Sequence, residues 1–137
     1  MIALVPIPLD YLDGSRAHWE PYVLSIAERA KNPPEEMTRM LYASEAQAFL
    51  IWDSEQQKSQ AFIGVQYLIS TRGRVGQIIW LMGENRAEWV HLFGDLETYL
   101  KTQQSCVAMK AIARRGWAKF LKMNGYRETH VVMEKTL

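Results

Sequence analysis

The sequence predicts a single α/β domain, spanning residues 1–137, whose central sheet is mixed, mostly antiparallel and covered by helices on both faces. Between residues 19 and 41, apolar side chains recur every three or four positions, which is the spacing of amphipathic helices. Between residues 46 and 83, runs of β-branched and aromatic residues have a period of two, which is typical of strands. Because these runs are apolar on both faces, a helical layer is expected on each side of the sheet.

Composition and charge limit the class of protein. Hydrophobic residues make up 48% of the chain and charged residues 23%, as in a globular domain rather than a disordered chain. The net charge of +1 argues against a protein that coats nucleic acid through its overall field. The single cysteine, Cys106, excludes an intrachain disulfide and fits a reducing compartment. No run resembles a signal peptide or is long enough to span a membrane, so we expect a soluble cytoplasmic protein without a membrane partner.

The first half of the chain predicts a strand, two helices and three further strands. The opening residues 1–7 form a short strand that prolines end. A helix follows Gly14, and Asn32 is placed to cap a second helix that begins with two prolines. Turn sequences divide the next segment into three strands, which should pair as an antiparallel meander. These strands span residues 46–53, 61–70 and 75–83. Gly64 marks either a β-bulge or a point of close packing.

The second half predicts a long helix, a strand, a short helix and a last strand. Asn85 is placed to cap the long helix, with Glu88 at its third position. The later strands span residues 106–112 and 129–137, so the element order is β-α-α-β-β-β-α-β-α-β. The side chains expected in the core are Trp89, Leu92, Phe93, Leu96, Tyr99 and Leu100 on the long helix and Trp117, Phe120 and Leu121 on the short one.

The short helix lies in the stretch RRGWAKFLKMNGY, residues 114–126, and contains a glycine in its first turn. Glycine inside a helix is less stable than alanine by about 1 kcal/mol. The element order and this stretch resemble the GNAT acetyltransferase superfamily, whose members carry an Asn-x-x-Ala-x-x-Leu-Tyr-x-x-x-Gly-Phe type helix. The corresponding end here is Asn124, Gly125 and Tyr126. The RRGW variant also resembles small GNAT-like proteins of tailed bacteriophages, some of which are virion components.

The resemblance implies a site for acyl-coenzyme A, with acetyl-CoA as the candidate cofactor. In the family, the coenzyme lies in a cleft where the fourth and fifth strands splay apart, next to the start of the short helix. Arg114 and Arg115 would then direct cations toward its phosphates, which arginine binds bidentately. The loop after the fourth strand would contribute Met82, Gly83 and Arg86. The alternative, that the arginines form only a solvated rim, remains open.

Three features depart from the family pattern. The family's pyrophosphate loop, an Arg/Gln-x-x-Gly-x-Gly/Ala sequence, corresponds here to LMGENRAEW, where Gly83 is the only glycine and Glu84 adds a negative charge. Arg86 compensates for that charge in part. Many family enzymes protonate the departing thiolate with a tyrosine, and the aligned position here is Leu121, which donates no proton. Tyr126 replaces the family's phenylalanine and is expected to pack.

The sequence contains no complete set of catalytic residues. Glu84 is the candidate for the base that deprotonates an acceptor amine, but a carboxylate at a helix start is also a typical partner of the helix dipole. The histidines at 18, 91 and 130 are scattered and do not have metal-site spacing, so no metal is predicted. Cys106 begins a strand without a nearby histidine, which favours a buried thiol over a nucleophile.

Three functions are therefore compatible with the sequence, which leaves open whether the protein is an enzyme. The first is an acetyl-CoA-dependent N-acyltransferase, or a descendant of one with a degenerate coenzyme site. The second is a non-catalytic virion component or interaction module, with phage or host proteins as partners, in the virion or the host cytoplasm. The third is a nucleic-acid binder, which ranks last because the whole-chain charge is low. Its candidate surface, equally typical of a solvated helix face, is Lys110, Arg114, Arg115, Lys119 and Lys122.

Overall fold

The computed structural model describes residues 1–112 and 114–137. A five-stranded sheet runs through these residues and carries helices on both faces. The strands are β1 (Ile2–Ile7), β2 (Gln47–Asp53), β3 (Lys58–Ser70), β4 (Gly73–Gly83) and β5 (Cys106–Ala111). The helices are α1 (Leu12–Ala30), α2 (Pro34–Tyr42), α3 (Arg86–Trp89), α4 (Phe93–Gln103) and α5 (Arg115–Met123), with short 3₁₀ turns at Leu9–Tyr11 and Val90–Leu92.

The strands lie in the order β1-β2-β3-β4-β5, and every neighbouring pair is antiparallel except β4 and β5, which are parallel. The β2–β3 turn is held by Asp53, whose carboxylate accepts the Glu55 and Gln56 backbone N–H groups at 3.0 and 3.2 Å. The β3–β4 turn uses Gly73, whose φ of 132° is a conformation that side chains disfavour. The predicted meander is thus confirmed, and the fold class with it.

Apolar side chains on both faces of the sheet are covered by helices, as the sequence predicts. Leu50 of β2 contributes to one core, with α1 and α2, whereas its neighbours Phe49 and Ile51 contribute to the other, with the helices that follow β4. Trp19 fills the first core and Trp89 the second, and each is at most 1% exposed. Within the described residues, no helix has both the length and the apolar character required to cross a bilayer.

A β-bulge interrupts the pairing of β3 with β4. Val65 pairs with Ile78 and Gly64 pairs with Trp80, so Ile79 has no partner on β3. A Cβ atom at Gly64 would lie 2.2 Å from Cε3 of Trp80, because the indole covers this glycine. Gly64 therefore lies at a β-bulge and is also closely packed, so both interpretations that the sequence left open are correct.

The long helix predicted after β4 is divided into α3, a 3₁₀ turn and α4. Its predicted buried stripe is nevertheless confirmed, with Tyr99 partly buried and the other members buried. Asn85 occupies the N-cap position of α3, as predicted, but its side chain does not cap the helix: its φ is a left-handed 54° and its amide donates to the Gln60 side chain at 3.2 Å. The cap predicted at Asn32 is wrong, since Pro33 precedes α2 at the N-cap position.

The strand predicted at residues 129–137 is wrong. Residues 127–137 form neither helix nor strand, and Val131, Val132 and Met133 are exposed. Alternating apolar residues favour an extended chain, but a strand also needs a neighbour that supplies its hydrogen bonds. Among the described residues, β5 is the last strand of the sheet and only β4 pairs with it.

Replacing Gly64 with alanine should lower the free energy of unfolding by about 1–3 kcal/mol, the usual effect of overpacking. The added methyl group would have to displace Trp80, whose ring is stacked on that of Phe62 at 6.3 Å between centroids. Urea unfolding measures the effect. The control is Gly94→Ala in α4, where a Cβ meets no heavy atom of the described chain within 4 Å. That control should be neutral or stabilising, and an equal effect of both substitutions would contradict the packing argument.

Candidate functional site

The sheet opens between β4 and β5. The two strands pair from Arg74 and Cys106 up to Ile78 and Ala111. Among the described residues, the last hydrogen bond between the two strands runs from the Ile112 N–H to the Ile78 carbonyl at 3.2 Å. Beyond it, β4 continues to Gly83 alongside β3, while β5 ends at Ala111. No strand of residues 1–112 and 114–137 pairs with the cleft-side edge of β4 over this last segment.

This opening is a cleft of about 270 Å³, lined by residues from both faces of the sheet. Ile26 and Arg29 reach it from α1, and Trp80 reaches it from β4 on the same side as the α1–α2 core. Phe93 and Trp117 reach it from the other core. Two molecules could therefore enter from opposite faces and meet where the ladder has opened.

The cleft carries unpaired positive charge. Arg114 and Arg29 line it, and both are exposed. The Arg86 guanidinium lies over the Trp117 ring, 4.9 Å from its centroid, and so is held beside the cleft by a cation–π contact. Within residues 1–112 and 114–137, none of these three arginines forms an ion pair. A cleft of this kind favours an anionic ligand.

The structure brings most of the sequence-predicted coenzyme residues together. Met82, Gly83 and Arg114 line the cleft, and Arg86 lies beside it on Trp117. Arg115 is exposed and lies outside the cleft wall. Sequence reasoning missed the lining residues from the end of α1 and the middle of β4. These are Ile26, Arg29 and Trp80. Nothing in their local sequence could reveal that they line the same cleft.

Position 83 is occupied by glycine because the backbone there packs so closely against β3 that a side chain would not fit. A Cβ atom at Gly83 would lie 2.4 Å from the Cβ of Ala61 and 2.8 Å from the Gln60 carbonyl oxygen. The loop that follows leads into α3, which has only four residues, so the partial charge at its N-terminus is small. Backbone groups of this loop bind within the protein: the Glu84 N–H donates to the Gln60 carbonyl at 2.9 Å and its carbonyl accepts from the Trp89 indole at 2.6 Å. The backbone groups of Glu84 are therefore not free to bind a pyrophosphate.

The candidate base, Glu84, is exposed and lies outside the cleft wall. The pKa of the Tyr22 phenol on α1 is raised, mainly because the phenol is buried and to a smaller extent because of the negative charge of Glu84. The Tyr22 hydroxyl donates to the Ser59 carbonyl at 3.2 Å. Glu84 and Tyr22 are thus bound to neighbouring residues of β3, Gln60 and Ser59.

Leu121, at the place where the family pattern has a tyrosine, is buried and lines the cleft. Tyr126 is half-buried outside the lining, and its hydroxyl donates to Glu97 at 2.6 Å. Burial and this carboxylate raise the pKa of the Tyr126 phenol. Tyr126 thus lies outside the described cleft wall, which contains no phenol.

The remaining sequence candidates lie elsewhere. Cys106 is buried, and burial raises the pKa of its thiol, as expected for a structural cysteine rather than a nucleophile. Within the described residues, no three His, Cys, Asp or Glu side chains come close enough to hold a metal. Every side chain of the proposed nucleic-acid surface is exposed, and Lys122 lies 3.8 Å from Glu128. Gly116 is also exposed, with no described heavy atom within 4 Å of a Cβ placed there.

The sequence matches no protein-family model and no curated protein. Its structure is similar to a ribosomal-protein-alanine N-acetyltransferase from Brucella melitensis, with a TM-score of 0.75, 14% identity, and coverage of 100% of this chain and 99% of that one. It is similar to an acetyltransferase from Trypanosoma brucei, with a TM-score of 0.69, 11% identity and full coverage of both chains. An aminoglycoside 6'-N-acetyltransferase from Acinetobacter baumannii has a TM-score of 0.68, 12% identity, and coverage of 100% and 98%. The chain thus has the GNAT acetyltransferase fold.

Replacing Trp117 with alanine should lower the free energy of unfolding by about 3 kcal/mol, the low end for a tryptophan, because the ring is only partly buried. The indole contacts Trp89, Phe93 and Phe120 with ring centroids 5.9 Å apart in each pair. Chemical unfolding measures the change. Lys119→Ala, on the exposed face of the same helix, is the control and should change the free energy little. A Trp117 variant as stable as the wild type would mean that this contact contributes nothing to the core.

Proposed function

We propose that the protein is an acyl-CoA-dependent N-acyltransferase that holds the acyl-CoA in the cleft between β4 and β5. The observation that carries this proposal is the opened parallel ladder, because it leaves one unpaired strand edge accessible from both faces of the sheet. At such an edge, a thioester that enters from one face of the sheet can meet an amine that enters from the other face. The similar acetyltransferase structures support the same assignment at the level of the fold.

The phosphates would be bound by side chains rather than by a glycine-rich loop. Arg114 would be the main phosphate ligand, since it lines the cleft without an ion pair in the described chain. Arg86, fixed on Trp117, would add a second cation nearby. Guanidinium groups bind phosphate oxygens bidentately, so they can replace part of what the one-turn α3 cannot supply. Met82 and Gly83 would lie along the acyl-bearing arm, and Arg115 would interact only at the rim.

The reaction would be direct transfer. The neutral amine attacks the thioester carbonyl, the C–N bond forms, and the negative charge moves to the carbonyl oxygen, where an unpaired N–H on the edge of β4 could stabilise it. The tetrahedral species then expels the coenzyme thiolate as the C–S bond breaks. Glu84 would accept the amine proton through water, because it is an exposed carboxylate on the loop directly after β4. Leu121 cannot protonate the thiolate, so water would do so after departure.

The lining of the cleft also favours a second candidate, a protein that binds an anionic ligand or a partner without turnover. Leu121 occupies the cleft where a proton donor would lie, and the helix N-terminus beside it is only one turn long. A phage virion component or interaction module would fit this description. Such a protein would bind acetyl-CoA weakly or not at all and would release no coenzyme thiol.

Acetyl-CoA added during thermal unfolding should raise the melting temperature. At 100 times its dissociation constant, a ligand stabilises the native state by about 2.7 kcal/mol, which corresponds to roughly 5 °C or more for a domain of this size. Arg114→Ala should reduce the shift without lowering the melting temperature of the unliganded protein, because this side chain is exposed. Arg127→Ala removes an exposed cation away from the cleft wall and should keep the shift. No shift at millimolar acetyl-CoA would refute coenzyme binding.

Leu121→Tyr should change the release of coenzyme thiol from acetyl-CoA by less than about threefold. A thiol has a pKa near 8.5, so its thiolate is a good leaving group without prior protonation. Leu121→Phe is the control for the added ring, because phenylalanine has nearly the same volume as tyrosine but no hydroxyl group. A tenfold gain with tyrosine but not with phenylalanine would show that protonation limits the natural protein.

A further inference from the structure

A second cavity, of about 240 Å³, lies at the other end of β4 from the cleft. It is bounded by the end of β1, the start of β2, the start of β4 at Arg74 and the residue after α4, Gln104. On β4 this cavity is lined by Arg74 and the cleft by residues from Ile78 onward, and the two cavities share no lining residue. Nothing in the proposed acyl transfer uses this second cavity.

The cavity has two unlike walls. One wall is apolar and comes from β1, the α1–α2 layer and the segment before β2. Its buried side chains are Ile7, Leu12, Leu41, Ala46 and Ala48. The other wall is polar, and its half-buried side chains are Gln47, Tyr67, Arg74 and Gln104. A ligand that filled the cavity would need an apolar part and a polar part.

Hydrogen bonds fix the polar wall. The Tyr67 hydroxyl donates to Oε1 of Gln47, and Nε2 of Gln47 donates to the Tyr99 hydroxyl at 2.9 Å. Nε2 of Gln104 donates to the same hydroxyl at 3.4 Å. Each amide nitrogen keeps a second N–H that these bonds do not use. The wall is therefore preorganised and has more donors than acceptors.

Arg74 gives this wall a positive charge. Its guanidinium lies 4.4 Å from the centroid of the Tyr67 ring, which holds it at the cavity. In the described part of the chain it forms no ion pair. The acidic groups nearby do not neutralise it, because burial raises the pKa of both the Tyr67 phenol and the Cys106 thiol and keeps them protonated near neutral pH.

The geometry points to a binding site for a small amphipathic monocarboxylate, with its carboxylate on Arg74 and its short apolar chain against the Ile7–Leu41 wall. A planar carboxylate matches the guanidinium fork, and one cation suits one negative charge better than a phosphate dianion. The cavity volume lies below the range of sites for drug-sized ligands, which limits the ligand to a short chain. The carboxylate could belong to a free acid or to the C-terminus of a peptide. The enclosing apolar wall favours the free acid.

Hexanoate is a suitable probe for the wild-type chain. A ligand with only eight non-hydrogen atoms is expected to have a dissociation constant of about 1 mM. At 10 mM and constant ionic strength, the melting temperature should then rise by about 3–5 °C. 1-Hexanol, which has the same chain without the charge, should give less than a third of that shift. Equal shifts from hexanol and hexanoate would show a merely apolar cavity, and no saturable hexanoate signal in ligand-observed NMR would overturn the proposal.

Two arginines of the same hairpin provide the matched variants. Arg74→Gln should abolish the hexanoate shift, whereas Arg72→Gln, an exposed turn residue outside the cavity, should keep it. Arg114→Ala should also keep it, which separates this site from the acyl-CoA cleft. Loss of the response in Arg72→Gln or Arg114→Ala would mean that the anion binds elsewhere. If Arg74→Gln does not fold, the wild-type comparison of hexanoate with hexanol still decides the matter.

The source of the carboxylate can be tested with acetyl-Gly-Leu and its C-terminal amide. For a free-acid site, the peptide acid should bind at least tenfold more weakly than hexanoate, because the Gly-Leu backbone brings amides against an apolar wall. A peptide acid that bound more tightly than hexanoate, and lost its affinity as the amide, would instead assign the site to a chain terminus and overturn the free-acid proposal.

Discussion

The parallel ladder between β4 and β5 ends at the hydrogen bond from the Ile112 N–H to the Ile78 carbonyl, and the candidate site exists because it ends there. On its other edge β4 stays paired with β3 as far as Gly83, which packs on Ala61 too closely for any side chain. Its pairing with β3 thus holds β4 in place as far as Gly83, and the sheet opens because β5 ends earlier, at Ala111. The bulge at Ile79 lies directly after the last shared hydrogen bond, where it changes the alternation of β4 at the start of the cleft.

The charges around this opening lie on side chains rather than on a loop of backbone amides. Loops that cradle phosphates depend on several exposed N–H groups and on a helix long enough to have a dipole. Here the Glu84 N–H is bound to β3 and α3 is a single turn. The positive charge at the cleft comes instead from the side chains of Arg114, Arg29 and Arg86. The Trp117 ring holds Arg86 in place through a cation–π contact. Side-chain cations are more mobile than backbone amides, so a ligand would have to order them on binding.

Much of the fold could be predicted from the sequence, because its signals are local. The alternation of Phe49, Leu50 and Ile51 predicted a sheet with two covered faces, and the spacing from Trp89 to Leu100 predicted the face of the helix that is buried. The resemblance of residues 114–126 to the GNAT pattern placed Arg114 and Leu121 at the cleft, where the structure has them. The strand predicted at 129–137 is absent because strand propensity does not supply a neighbouring strand. Asn85 reached its predicted N-cap position, but its amide binds Gln60 instead of the helix, and Pro33 takes the position predicted for Asn32.

The sequence by itself determined the composition of the layers, the order of the elements from the first strand to the short helix at residues 115–123, and the absence of a phenol at position 121. Only the tertiary structure decided that Arg29 and Trp80 face the same opening as Arg114, and that Arg74, Gln47 and Gln104 enclose a second cavity at the far end of β4. The physical reason is that periodicity encodes which face of an element is apolar but not its register against distant elements. That register follows from the pairing of strands, the bulge at Ile79 and the packing of whole side chains, which act between residues far apart in the chain.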